Sequence, residues 1–302
     1  MTVSPPRITI ITPSFNHARF LSQCIDSALD QRYPNLQYLV MDGGSTDGTL
    51  EILRRYRERL VWKSERDRGQ AHAVNKGLRL ADGEIIGWLN SDDYYLPGCL
   101  ARVRECFAAH PNTAMVYGRA LMVDEHGDTI REYPTFDVRR ADLRRKCSIC
   151  QPAVFVRRRV LEEVGPLNEA LHICLDYDWW LRIGRAHELA FCDHVLAASR
   201  HYPSTKTAAR RLRALVEAGY LMREHFGGAS WRWSAKWVAH RWALDRRRFL
   251  PPVAGWIAAL RSAIRFHQRF DSRRPPSGYG SKMIARLKPP GQPAHSPPRA
   301  SP

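Results

Sequence analysis

Short apolar runs alternate with helical stripes along the first half of the chain. Arg7-Ile-Thr-Ile-Ile-Thr12 is a β-branched run that predicts a buried strand. After Pro13-Ser-Phe-Asn16, the residues Phe20, Leu21, Cys24, Ile25, Ala28 and Leu29 fall on one stripe and predict a helix to about Asp30. Gln37–Asp42 predicts a second strand, and Thr49 to about Leu60 a helix that Asp47 can cap. Leu60–Ser64, Glu84–Asn90, Ala114–Gly118, Gly127–Tyr133, Val154–Val156 and Leu189–Leu196 predict further strands. Helices are expected over Ala71–Leu80, from Pro97 to Ala109, and over Arg157–Val164 and Leu175–Arg185.

This alternation, with connections of a few residues, argues a doubly wound, mainly parallel α/β sheet flanked by helices. Ligands in such sheets bind at the carboxyl ends of the strands. Three polar clusters fall at that edge: Pro13–Asn16, Asp42–Gly48 and Asn90–Asp93. Beyond residue 207 the pattern changes. Ala208–Phe226, Trp231–Phe249 and Val253–Phe270 read as helices rich in Arg and Trp, and from about Ser272 the chain is Pro-, Ser- and Gly-rich with few apolar residues. The expected division is an α/β domain over 1–207, a basic helical extension over 208–271 and a disordered tail over 272–302.

Charge sharpens that division. The formal net charge is +17, and residues 208–302 hold 19 Lys and Arg against 4 Asp and Glu, leaving the first 207 residues nearly neutral. The basic third suits an anionic partner, either phospholipid headgroups or nucleic acid. No apolar run of about 18 residues occurs, so no membrane-spanning helix is expected. The seven cysteines are odd in number, scattered and preceded by no secretory signal. They read as reduced thiols of a cytosolic protein, with the Cys147–Cys150 spacing incidental.

Four groups carry candidate chemistry. Asp92 and Asp93 follow an apolar strand and offer hard oxygen ligands for Mg²⁺ or Mn²⁺; the alternative is a capping acidic pair ahead of Pro97. The loop Asp42-Gly-Gly-Ser-Thr-Asp-Gly48 offers a carboxylate and close backbone approach to a nucleoside, or a glycine-rich turn with a helix cap. Asp176 and Asp178 open a Trp-rich helix. Their spacing puts them on different faces, so one at most serves as a base; otherwise both are first-turn acids. Arg200, His201 and Lys206 cluster in a loop where cations can meet phosphate, although a lone His is more often structural.

Read in order, these stretches resemble the family 2 inverting glycosyltransferases of GT-A fold. The resemblance runs over about residues 7–207, through Ile11-Thr-Pro-Ser-Phe-Asn16, Asp42–Thr49, Glu65–Gln70 with Asn75-Lys-Gly77, Trp88–Asp93, Gln151-Pro152, Asp176-Tyr-Asp-Trp-Trp180 and Arg200-His201. It implies Thr12, Pro13, Asn16, Asp42, Asp67, Arg68, Asn90 and Ser91 around the nucleotide. It also implies Asp92, with Asp93 and His201, at a divalent cation, Arg200 and Lys206 at the diphosphate, and Asp176 as the base. The donor would be a nucleotide sugar, with uridine the expected base. The acceptor would be a glycan or lipid-linked acceptor in surface polysaccharide synthesis. Two departures stand out: Asn90 occupies the first acidic position of the metal motif, and Leu175 replaces the Glu that usually precedes the base.

Trp231, Trp233, Trp237, Trp242 and Trp256 interleave with Arg and suit a headgroup-level surface. The expected location is therefore cytoplasmic, peripheral on the inner face of the membrane. The rival classes are a basic nucleic-acid-binding protein, for which no module signature is present, and a catalytically weak GT-A-like binder.

Overall fold

The computed structural model describes residues 4–138 and 140–228. Its first half is the expected alternation. Strand β1 (Ile8–Ser14) is buried along its whole length and lies parallel to β2 (Leu36–Asp42) on one side and β4 (Ile85–Trp88) on the other, with β3 (Val61–Ser64) outside β2. Helices α1 (Ala18–Leu29), α2 (Thr49–Arg55) and α3 (Gln70–Leu80) make the crossovers. Burial on both faces explains why β1, β2 and β4 read as apolar runs rather than alternations, whereas the edge strand β3 is exposed or half-buried along its length.

The second half is mixed. Beyond β4 the sheet continues through β8 (Val154–Arg157), β6 (Met115–Val123), β9 (Leu189–Arg200) and the two-residue β5 (Tyr94–Tyr95), with β7 (Thr129–Glu132) beside β6. Strand β8 runs antiparallel to both neighbours, whereas the long β6–β9 pairing is parallel. The sheet is thus mostly parallel and flanked by helices. Helices α4 (Cys99–Ala109), α5 (Arg140–Leu143), α6 (Val160–Val164), α7 (Leu175–Ala186), α8 (Lys206–Ala209) and α9 (Arg211–Phe226) complete the described chain.

Successive strand residues supply opposite faces. Phe155 joins Leu21, Ile25, Val103 and Phe107 under α1 and α4. Its neighbours Val154 and Val156 join the stacked Trp179 and Trp180 and α9 residues Leu215, Leu221 and Met222. Helix α9 lies past the boundary expected at residue 207, yet it is packed into the same core. The expected single helix 208–226 is broken at Arg210 into α8 and α9. The helices expected at 231–249 and 253–270, and the tail, lie outside the described residues. Among the described residues no helix is long and apolar enough to cross a membrane.

Two local differences have clear causes. Cys106 on α4 and Cys192 on β9 form a disulfide, with Cα atoms 6.1 Å apart, where reduced thiols were expected throughout; Cys24, Cys99, Cys150 and Cys174 are free thiols. The partners are 86 positions apart, so only the packing of α4 on β9 brings them together. At Gly77, α3 sits so close to β1 that an added Cβ would lie 2.4 Å from Ile11 Cγ2. Ile11 is branched and fully buried and cannot retreat. Gly77→Ala is therefore expected to destabilise the fold by about 1–3 kcal/mol, read as a lower denaturation midpoint with unchanged slope.

Candidate active site

The carboxyl ends of β1 and β4 open onto a cleft of about 1130 Å³. Asn16 and Asp42, expected at the nucleotide, are not among its lining residues; the loop after β2 stands behind Asp67 and Phe15, which are. The loop after β1 and the glycine-rich loop after β2 are clasped together at the edge of the cleft. Asp42 is fully buried and spends its carboxylate on the loop, accepting the Gly44 and Ser45 N–H groups at 3.0 and 2.9 Å and the Ser45 and Ser64 hydroxyls. Asn16 has φ +53° and accepts the Thr46 N–H at 2.9 Å. Gly48, not the expected Asp47, is the capping residue of α2; Asp47 stands one place earlier, accepts Thr49 N–H and also Ala18 N–H at 3.0 Å, and so ties the start of α1 to the same loop.

The Asn90–Asp93 loop is the centre of a polar network. Asn90 Oδ1 accepts from Gln70 Nε2 at 2.7 Å and Trp88 Nε1 at 2.9 Å; its Nδ2 donates to Gln151 Oε1 at 2.8 Å and Asp93 Oδ2 at 3.2 Å. That uses both donors and both acceptor positions of the amide. Asp93 is buried, accepts the Arg200 N–H on Oδ1 at 2.9 Å, and has its carboxyl held well above the ordinary range by burial and by the adjacent Asp92 charge. Asp92 is half-buried and lines the cleft. Its Oδ2 accepts the Tyr202 hydroxyl at 3.0 Å, and no hydrogen bond within the described residues reaches its Oδ1.

The late loop is set from below. Arg200 is the last residue of β9 rather than a loop residue, is 4% exposed, and lies over the rings of Phe20 and Tyr94 at 4.6 and 5.1 Å. Its guanidinium donates to the Asp92 carbonyl at 2.5 Å and to Gln23 Oε1. His201 lines the cleft, and burial lowers its pKa. Lys206 opens α8 and donates to Gln70 Oε1 at 2.9 Å; burial pulls its amine down to about 8.

The opposite wall comes from α7 and α9. Asp176 lines the cleft, and burial pushes its carboxyl up to about 6 against the pull of Lys206. Asp178 turns the other way, with Arg182 at 2.9 Å and His225 at 3.2 Å. Ile149, Ile173 and Leu215 supply an apolar surface between them.

The structure thus brings Pro13, Asp67, Asn90, Ser91, Asp92, Asp93, Asp176, Arg200, His201 and Lys206 onto one cleft. Thr12 instead points into the core, 3.0 Å from the Tyr38 hydroxyl, and Arg68 pairs with Glu169 at the surface. Sequence reasoning gave no role to Tyr202, His17 or Phe15. Tyr202 holds Asp92, His17 Nδ1 lies 2.7 Å from Ser91 Oγ, and Phe15 lines the cleft although 59% exposed.

A cation is tested by this donor set. Among the described residues no three His, Cys, Asp or Glu side chains stand together as a protein cage. Asp92 offers one oxygen without a hydrogen bond beside an open cleft. One carboxylate plus substrate phosphates and water is a usual way to bind Mg²⁺, so these residues fit a cation shared with a diphosphate.

A family model described as Glycosyl transferase family 2 matches residues 9–165. The chain belongs to glycosyl transferase family 2. The match spans the loops after β1, β2 and β4 and stops before Asp176. Among similar proteins, a PGL/p-HBAD biosynthesis glycosyltransferase of Mycobacterium bovis is 33% identical over 185 residues, 60% of this chain and 70% of that one. Chondroitin synthase of Escherichia coli is 28% identical over 59% of this chain and 26% of its own length. Among solved structures, S. aureus TarS 1–349 in complex with UDP-GlcNAc aligns with TM-score 0.60 at 17% identity, over 86% of this chain and 81% of that one. The mannosyltransferase PcManGT from Pyrobaculum calidifontis, in complex with GDP-Man and Mn²⁺, gives TM-score 0.58 at 22% identity, over 93% and 79%. At these identities the structures establish the shared GT-A fold of this family 2 glycosyltransferase.

Proposed function

We propose that the chain transfers a glycosyl group from a nucleoside-diphosphate sugar, with a divalent cation, to an acceptor hydroxyl with inversion. One observation carries this reading: Asp92 and Asp176 face the same cleft, while Asp93 and Asp178 are consumed by internal partners.

The geometry supports these roles. Phe15 presents a ring to a base, and the clasped loops of Asn16 and Asp42 shape the nucleoside end. Asn90, saturated internally, and Asp93 hold the loop so that Asp92 meets the cation, with His201 beside it. When bound, the cation neutralises charge developing on the diphosphate. Lys206, released from Gln70, is a second cation for the same leaving group. Arg200 supports that end from beneath through the Asp92 carbonyl. Asp176 takes the acceptor proton; the acceptor oxygen bonds to the anomeric carbon as its bond to the diphosphate breaks on the opposite face.

A base works only when deprotonated. With Asp176 at about 6, kcat/KM for the donor is expected to rise with pH through a limb near 6 and level off above it. A flat profile between about pH 4.5 and 7.5, with the same buffer ions throughout, argues against Asp176 as the base.

The acceptor side joins apolar Ile149, Ile173 and Leu215 to Lys206, Arg210 and Arg211. This supports a glycan acceptor carried on an amphipathic, anionic group such as a lipid-linked one. The basic chain beyond residue 207 supports peripheral attachment to an anionic membrane from the cytoplasmic side. The full chain should then sediment with vesicles containing anionic lipid and be released by about 0.5 M salt. Equal binding to neutral vesicles, or none to either, contradicts it.

A further inference from the structure

Helix α9 grips the turn ahead of α7 through one carboxylate. Glu217 is 1% exposed, yet it lies among backbone donors rather than in an apolar void. Its Oε2 accepts the N–H of Ile173 at 2.8 Å and of Cys174 at 3.0 Å, and both its oxygens accept the His172 N–H at 3.2 Å. Arg213 Nε donates to Oε1 at 2.9 Å.

These three amides lead directly into α7. Cys174 is the residue before the first helical turn, and its own side chain makes no capping hydrogen bond; its thiol donates instead to the Ala214 carbonyl at 3.4 Å. In a capping box, an acid in the first turn of the same helix reaches back to the capping residue's N–H. Here the acid arrives from α9, 43 positions downstream of Cys174. Asp176 stands two residues past this turn, so the path by which its side chain enters the cleft depends on how the turn is held.

We propose that Glu217 is a positioning residue for the transfer: by gripping the 172–174 turn it fixes the first turn of α7 and so aims Asp176 into the cleft. The proposal rests on the reading of Asp176 as the base. A buried carboxylate that served only stability would lower the melting temperature when replaced, without singling out turnover.

The test uses the full chain with Glu217→Gln, Asp176→Asn and the double variant. Hydrogen–deuterium exchange of the 172–174 amides in Glu217→Gln should quicken by about tenfold or more, with the β1–β4 amides unchanged. Unchanged exchange at 172–174 overturns the proposal. Turnover is read as UDP release from UDP-GlcNAc and GDP release from GDP-mannose. Glu217→Gln should lower kcat by about tenfold with donor KM held within about twofold. The double variant should be no slower than Asp176→Asn, because Glu217 acts through Asp176. Multiplying effects in the double variant, or a changed KM with kcat intact, overturn it. Wild-type turnover in Asp176→Asn removes the base reading and the positioning role with it, while the exchange result separately reports whether Glu217 holds the turn. Glu217→Asp keeps the charge but falls short of the amides; it is read in the same way should the Gln variant not fold.

Discussion

Asp176→Asn is expected to lower turnover by about 10²–10⁴-fold while leaving nucleotide binding within about twofold. Asn keeps the size and the hydrogen bond to the Tyr177 N–H but cannot accept the acceptor's proton. A second readout has a definite sign. The folded carboxyl sits at about 6 against an ordinary 3.8, because burial disfavours its charge. The native state therefore holds the proton more tightly than the unfolded chain, and that stabilisation is lost as pH rises through 6. At pH 7–8 the charged side chain opposes folding, so Asp176→Asn should melt higher than the parent while turning over far more slowly. At pH 4 the difference in melting should shrink. A variant that is slow and also less stable at pH 8 would point to lost packing instead of a lost base.

Asp92→Ala is expected to remove the metal-dependent part of both nucleotide binding and turnover. In the proposed reading one carboxylate oxygen facing the cleft is the protein's main hold on the cation, so little would replace it. The expected loss in kcat is about 10²-fold or more. The fold should survive, since Asp92 is half-buried and its side-chain partner is the Tyr202 hydroxyl. Asp93→Ala differs: it strips partners from Arg200 N–H and Asn90 Nδ2 at a buried site and should lower stability first. Retained Mn²⁺-dependent UDP binding in Asp92→Ala, measured by calorimetry, would contradict the assignment.

The parallel half of the fold was legible because β1, β2 and β4 are buried on both faces and appear as apolar runs ending in polar clusters. The second half was less so. Strand β5 is two residues long, and β8 differs from the earlier strands only in its direction, which no local pattern records. The loops flanking the cleft were legible as motifs, but their internal wiring was not. Asn90 takes its partners from Gln70, Trp88 and Gln151, so its saturation appears only when three distant segments converge. Arg200 reads in sequence as a loop cation beside His201, yet the rings of Phe20 and Tyr94 hold it beneath the loop. Which of Asp176 and Asp178 faces the cleft needed the helix azimuth, which Arg182 and His225 reveal by claiming Asp178. Glu217 carries no sequence signal, because its partners are backbone amides.

The proposed function requires this cleft to hold a nucleoside diphosphate together with a divalent cation. The direct test is calorimetric titration of the full chain with UDP and with GDP, each with and without Mn²⁺. At least one of them is expected to bind, and to bind about tenfold or more tightly when Mn²⁺ is present. Absence of binding to both nucleotides, or binding that Mn²⁺ leaves unchanged, would contradict it.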